Sequence, residues 1–224
     1  MLHDFPLDSN PGWTVESQWG WGKPWGQGSH NLDPLSGHTG AFVYGYNLFG
    51  DYGLNLSEFH LTSGPLDVTN HTRAELRFWR WLGIEDSAFD HARVSVSNDG
   101  STWIDVWIHD GPAIEDLDWV EQVLDISAVA DNQPTVYVRW TMGTTDGATT
   151  YPGWNIDDIR ILGVPPTPPL FGDVNGDCVV NVTDLAIVLG EFGRSDAGVT
   201  ADVDGDGDLA DLAGVLGAFG TFCP

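Results

Sequence analysis

The stretch Arg93-Val94-Ser95-Val96-Ser97-Asn98-Asp99-Gly100-Ser101-Thr102-Trp103-Ile104-Asp105-Val106-Trp107-Ile108-His109 sets the fold class. Both of its arms alternate apolar and polar residues, the period of a half-buried strand whose neighbours point to opposite faces. Between the arms, Asn98-Asp99-Gly100-Ser101 supplies residues that tolerate the positive φ of a tight hairpin turn. The period recurs on either side. Leu76-Arg77-Phe78-Trp79-Arg80-Trp81, Val136-Tyr137-Val138-Arg139-Trp140 and Gly153-Trp154-Asn155-Ile156-Asp157-Asp158-Ile159-Arg160-Ile161 are short strand patterns separated by turn clusters. Nothing in this part of the chain has a long helical period. Many short strands at this spacing predict a mainly β domain, an antiparallel sandwich of jelly-roll type.

Charge narrows the function classes. The 224 residues carry 33 Asp and Glu against 8 Lys and Arg, a formal net charge of −25. A nucleic-acid binder needs a basic patch to displace counterions from phosphate, and docking on anionic lipid needs one too. Both are excluded. No apolar run approaches the roughly 20 residues of a membrane-spanning helix, so no membrane insertion is expected. The first residues, Met1-Leu2-His3-Asp4-Phe5, lack the basic start and apolar run of a signal peptide. A secreted chain would then be a mature form or a piece of a longer product.

Four prolines in Pro165-Pro166-Thr167-Pro168-Pro169 interrupt the pattern, since proline continues neither a central strand nor a helix. The expected boundaries are a sandwich over 1–163, a stiff linker over 164–171 and a second module over 172–224. All eleven tryptophans precede the linker, and ten acids but only Arg194 among bases follow it. In the second module the period becomes helical and the sequence repeats. Asp173-Val174-Asn175-Gly176-Asp177 is echoed by Asp202-Val203-Asp204-Gly205-Asp206. Asp184-Leu185-Ala186 with Val188-Leu189-Gly190 is echoed by Asp211-Leu212-Ala213 with Val215-Leu216-Gly217.

Calcium takes six to eight oxygens, typically from a 12-residue loop with ligands at positions 1, 3, 5, 7, 9 and 12. Counted from Asp173, those positions hold Asp173, Asn175, Asp177, Val179 (through its carbonyl), Asn181 and Asp184. The spacing predicts bound Ca²⁺. Cys178 stands at position 6, where glycine usually eases the turn. The second copy runs from Asp202 to Asp211 and is two residues shorter, with Asp202, Asp204, Asp206, Asp208 and Asp211 as its candidate ligands.

These paired loop–helix units, over residues 172–222, resemble the dockerin type I module. The resemblance implies two calcium loops ordering two roughly antiparallel helices, in a secreted protein that plugs into a protein partner. Partner choice in that family rests on loop positions 10 and 11, which here hold Val182 and Thr183, and Leu209 and Ala210 in place of Ser–Thr pairs. The antiparallel arrangement would bring the C-terminus beside the first loop, which implies a Cys178–Cys223 disulfide and an oxidising, extracellular setting.

The first region is similar to MAM-like jelly-roll modules of secreted bacterial proteins over residues 3–163. The similarity is carried by Gly50-Asp51-Tyr52-Gly53-Leu54-Asn55, Val94–Gly100 with Trp103, and Gly153–Ile159. It implies an accessory adhesion or binding role, often with a structural calcium. Asp157 and Asp158 are adjacent in a strand, so one would face the core unless a bulge turns it. A structural metal joining one of them to the Asn47–Asp51 loop, through Asp51, is one expectation; ordinary hydrogen bonds to loop amides are the other. Strict alternation also puts Trp103 and Trp107 on the outer face, with Ile104, Val106 and Ile108 inside; Trp19 and Trp21, near Trp25, repeat the pattern. Outward tryptophans would stack on sugar rings, meet another protein or lie beneath the N-terminal segment. No zinc helix, nucleophile elbow or phosphate loop is present, so the chain is expected not to be an enzyme. The expected role is attachment or assembly, by docking to a protein partner or to copies of itself in a filament. Carbohydrate binding, or a place at the C-terminal end of a larger secreted hydrolase, is the alternative.

Overall fold

The computed structural model describes residues 1–166, 170–191 and 209–223. It divides into two compact units, Met1–Pro165 and Pro166–Pro224. The first contains twelve strands among the described residues: β1 (His3–Phe5), β2 (Thr14–Val15), β3 (Trp19–Gly22), β4 (Val43–Tyr46), β5 (Phe59–Thr62), β6 (Thr72–Ile84), β7 (Ala92–Ser97), β8 (Ile104–Ile108), β9 (Ile114–Glu115), β10 (Val120–Asp125), β11 (Tyr137–Met142) and β12 (Gly153–Val164). They form an antiparallel jelly-roll sandwich. One sheet runs β10-β6-β12-β4-β3, with β1 beside β12 and β9 beside β6; the other runs β2-β5-β11-β7-β8. A single turn of helix, α1 (Ser127–Ala130), joins β10 to the strand that follows.

Alternation places the core. Ala74, Leu76, Phe78, Leu82 and Ile84 of β6 face Val94 and Val96 of β7 and Val138, Trp140 and Met142 of β11 across the sandwich, all buried. Trp140 sits edge-on to Phe78 at 5.5 Å and stacks with Trp13 at 5.8 Å. Such aromatic pairs add to the area they bury because ring edges and faces carry opposite partial charge.

Two bulges break the alternation where function was expected. On β7 and β8, Val94 pairs with Trp107 but Ser95 pairs with Asp105, so Val106 is an extra residue. Each residue after it changes face. On β12, Asp157 pairs with Trp79 and Arg160 with Arg77, which makes Asp158 the extra residue, at φ 46°. Both aspartates therefore leave the core face. Ile156, Ile159 and Ile161 keep it.

The 23–42 segment is laid over the outer side of the larger sheet. Asn31 Nδ2 donates to the carbonyls of Leu82 and Asp116, Trp81 Nε1 donates to that of Leu32, and Asn155 Nδ2 donates to Asp33. The approach is close enough that a Cβ on Gly83 would lie 2.2 Å from Asn31 Oδ1.

The second unit contains α2 (Val182–Glu191) and α3 (Leu209–Ala218). Among the described residues its buried centre consists of Val180, Val188 and Val215, flanked by Leu170, Val174, Leu185, Ile187, Leu212 and Ala218. A Cys178–Cys223 disulfide and an antiparallel bridge between Val179 and Phe222 close it.

Candidate functional site

Three of the four tryptophans expected to face outward are turned in. The Val106 bulge points Trp107 at the core, edge-on to Trp154 at 5.4 Å, and the Arg80 guanidinium lies 5.5 Å from its centre. Ile108 takes the outward position instead, and Ile104 is half exposed as well. Trp19 is only 3% exposed, edge-on to Tyr46, and its Nε1 donates to the Phe59 carbonyl. Trp21 stacks on Phe42 at 4.6 Å and donates to the Leu7 carbonyl. Tyr44 and Tyr46, their register partners on β4, face the core, so the tryptophans do too, and the outward positions of β3 are Gly20 and Gly22. Trp103 alone remains outside. It covers the Arg139 guanidinium at 3.6 Å, while Arg139 Nε donates to Thr62 Oγ1.

The glycines of β3 leave a trough that the alternation rule did not reveal. It has a volume of about 480 Å³ and is lined by Gln18, Gly20, Lys23, Trp25, Asn47 and Phe49 among others, with Trp19 and Trp21 in its floor. Trp25 and Phe49 stand edge-to-face at 5.0 Å on its rim, 61% and 64% exposed. A second hollow lies against Trp25, lined also by Lys23, Pro24 and Leu35. Exposed rings cost hydration free energy unless something covers them. Here they stand beside an ammonium, two amides and open space. The sequence signal was the Gly20–Gly22 spacing in a tryptophan-rich edge strand.

The paired aspartates of β12 meet the 37–39 segment, not the Asn47–Asp51 loop. Asp51 accepts hydrogen bonds from Ser29 N and Thr150 Oγ1, so the expected bridge through Asp51 is not formed. Asp158 accepts from Thr39 Oγ1 and pairs at 2.6 Å with His38 Nδ1, whose ring stacks on Trp79. Asp157 is fully buried. Its Oδ2 accepts from Thr39 N, and its Oδ1 has no partner. Burial pushes its carboxyl up to about 7, against the pull of its backbone donors. A Cβ on Gly37 would lie 2.3 Å from the Thr39 carbonyl, 2.6 Å from Asp157 Oδ2 and 2.9 Å from the Phe42 carbonyl. Gly37 therefore leaves no room for a side chain. The buried, unpartnered Asp157 Oδ1 is a hard oxygen donor of the kind calcium takes.

In the second unit, the first loop folds around its own carboxylates. Asp173 Oδ1 accepts from Gly176 N and Asp177 N, and Oδ2 from Cys178 N. Asp177 Oδ1 accepts from Val179 N, and Asn181 Oδ1 from Thr183 N. Asn175 Nδ2 donates to Asp177 Oδ2, and Asn181 Nδ2 to the Val179 carbonyl. Asp184, fully buried, accepts from Val174 N and Asn175 N on one oxygen and Asn181 N on the other. Burial alone would raise its pKa; the backbone donors outweigh it and hold the carboxyl below its usual value. Oxygens of Asp173, Asp177 and Asp184 lie within 4.8 Å of one another. Among the described residues no cationic side chain pairs with them. With the amide oxygens and the Val179 carbonyl, these groups also fit calcium. Asp202, Asp204, Asp206 and Asp208 lie outside the described residues, as does the side chain of Asp211, whose backbone belongs to α3.

One partly buried cluster had no sequence signal. Glu85, Asp90 and Asp146 bring carboxylate oxygens within 4.8 Å of one another, with the Tyr52 hydroxyl donating to Asp90.

No family model matches the chain. Over 152 residues it is 27% identical to Bacillopeptidase F of Bacillus subtilis (strain 168), a match that covers 66% of this chain but 10% of that protein; the chain spans about a tenth of the length of this relative. Among solved structures, the xylan-binding domain CBM22-1 of Paenibacillus barcinonensis Xyn10C matches 74% of this chain and 95% of its own at 12% identity, with a TM-score of 0.45. SGBP-B, from a xyloglucan utilization locus of Bacteroides uniformis, matches 71% of this chain and 49% of its own at 10% identity, with a TM-score of 0.49. The K3 adhesin domain of Lys-gingipain from Porphyromonas gingivalis matches 66% and 92% at 15% identity, with a TM-score of 0.37.

Proposed function

We propose that the sandwich is a non-catalytic carbohydrate-binding module, an accessory part of a larger secreted protein. One observation carries this reading: Trp25 and Phe49 stand exposed on the rim of a trough furnished with Gln18, Lys23 and Asn47. Sugar rings present C–H faces that stack on aromatic rings and hydroxyls that need amide and ammonium partners, and the trough offers both. The likeness to a small part of Bacillopeptidase F supports an accessory place beside a catalytic region. Docking to a protein partner or to further copies rested on outward Trp103, Trp107, Trp19 and Trp21, on the stiff linker, on the lack of a catalytic set and on the dockerin-like second module. The inward packing of Trp19, Trp21 and Trp107 removes the first of these in large part.

The second unit, on the same reading, is a dockerin-like calcium module, and Asp157 with the 37–42 segment is a second calcium position in the sandwich. The Cys178–Cys223 disulfide accords with an extracellular location. Affinity electrophoresis of the full chain through gels containing xylan, xyloglucan, glucan and mannan tests the main claim. Retardation by at least one polysaccharide is expected, and Trp25→Ala should abolish it. Unretarded migration through every gel would overturn the reading.

A further inference from the structure

The first loop of the second unit makes two turns in the left-handed region, at Gly176 (φ 73°) and at Cys178 (φ 67°). Glycine adopts that region freely; a side chain with a Cβ does so at a cost, because the Cβ crowds the following carbonyl. Cys178 has no intrinsic reason to stay there. Its surroundings supply one. The side chain is bonded to Cys223, 45 residues on. Cys223 N donates to the Cys178 carbonyl, Val180 N to the Thr221 carbonyl and Gly220 N to the Val180 carbonyl, with Val179 opposite Phe222. The terminal segment is thereby laced to residues 178–180. That short run includes the Val179 carbonyl, and Cys178 N is the donor to Asp173 Oδ2.

We infer that the Cys178–Cys223 disulfide is a positioning element of the calcium loop, holding by a covalent tether the left-handed turn that a glycine would adopt unaided, so that metal affinity depends on the oxidation state of the pair. The inference rests on the calcium reading of this loop. In the oxidised chain, Asp173, Asp177 and Asp184 present oxygens within 4.8 Å of one another. When two electrons and two protons from a dithiol reduce the bridge to two thiols, Cys178 regains access to the extended conformations it prefers. The ligands are then assembled only part of the time. A loop competent about a tenth of the time binds about tenfold more weakly.

The test is calorimetric titration of Ca²⁺ into the full chain, oxidised and after dithiothreitol, with thiol content measured in both. Asp173→Ala identifies the transition that belongs to this loop. A loss of about tenfold in affinity on reduction is expected, and Cys223→Ser should show the same weak binding with or without reductant. The decisive variant is Cys178→Gly combined with Cys223→Ser. Glycine should restore affinity close to that of the oxidised chain, insensitive to reductant. Equal affinity in oxidised and reduced protein overturns the inference while leaving the calcium reading intact. A double variant as weak as Cys223→Ser overturns it too. An oxidised chain that binds no Ca²⁺ at the Asp173-dependent site overturns the calcium reading itself.

Discussion

Asp33 shows how one buried carboxyl couples the covering segment to pH. It is nearly inaccessible, accepts a hydrogen bond from Asn155 through Oδ1, and leaves Oδ2 without a partner. Burial raises its pKa to about 7, Asn155 pulls it back, and the charge of Asp51 adds to the rise. The sign of the consequence follows from proton counting. Between the ordinary carboxylate value and about 7, the folded chain holds a proton that the unfolded chain has released, so stability falls as pH climbs through that window. Below it, both states are protonated and the full contribution is present. A tenfold difference in proton affinity between the two states is worth about 1.4 kcal/mol. Urea midpoints of the wild type should therefore decline from pH 5 to pH 8, and Asp33→Asn, which cannot ionise, should flatten that decline. Parallel profiles for the two proteins would show that Asp33 does not titrate in this window. None of this was legible in the sequence, where Asp33 sits in an ordinary Asn-Leu-Asp-Pro run. The burial comes from a loop folding over a sheet some 120 positions further along the chain.

At the scale of the element, the strand that set the fold class also misled about its faces. The alternation of Ile104 to His109 was legible, and so was the hairpin at Asn98–Ser101. A bulge adds a residue without any compositional mark, and a single extra residue exchanges inside for outside. The Val106 bulge made Trp107 a packing residue. Its partners Trp154 and Arg80 lie within 5.5 Å. Trp107→Ala should accordingly lower stability by about 3 kcal/mol, in the range of large-to-small core substitutions, while glycan retardation stays unchanged. If retardation vanished while the urea midpoint held, the outward reading of Trp107 would be restored. On β12 two adjacent carboxylates put one of them toward an isoleucine-lined core unless a bulge turned it, and a buried carboxylate needs a cation or hydrogen bonds because burying an unpaired charge is too costly. The sequence could state the conflict there, and the structure resolves it at Asp158. The convergence of Asp173, Asp177 and Asp184 in the first acidic loop was readable, since these residues are local and their spacing is fixed by chain geometry. The partner of Asp157 was not readable, because it comes from the 37–42 segment across a long connection.

At the scale of the whole molecule, the charge of −25 meets two units with very different resources. The sandwich has a large aromatic core; among the described residues the second unit has Val180, Val188 and Val215 at its centre, with one disulfide. So small a core seldom holds without a staple or a metal. Metal binding to the native state alone would stabilise it by mass action, and carboxylates as close as those of Asp173, Asp177 and Asp184 repel one another without a cation. The distribution of tryptophan allows the two units to be read separately in one sample. All eleven lie before the proline run, so indole fluorescence reports the sandwich, whereas α2 and α3 contribute the main helical signal at 222 nm among the described elements. Excess EDTA should lower the melting temperature of the 222 nm transition markedly, with recovery on adding Ca²⁺ but not Mg²⁺, whose smaller octahedral shell suits such loops poorly. A smaller, Ca²⁺-reversible shift of the fluorescence transition is expected from the Asp157 position, and Asp157→Asn should remove that shift while leaving the 222 nm response in place. A fluorescence transition indifferent to EDTA would remove calcium from the sandwich. A 222 nm transition equally indifferent would remove it from the loop, and with it the explanation for carboxylates that no cationic side chain among the described residues offsets.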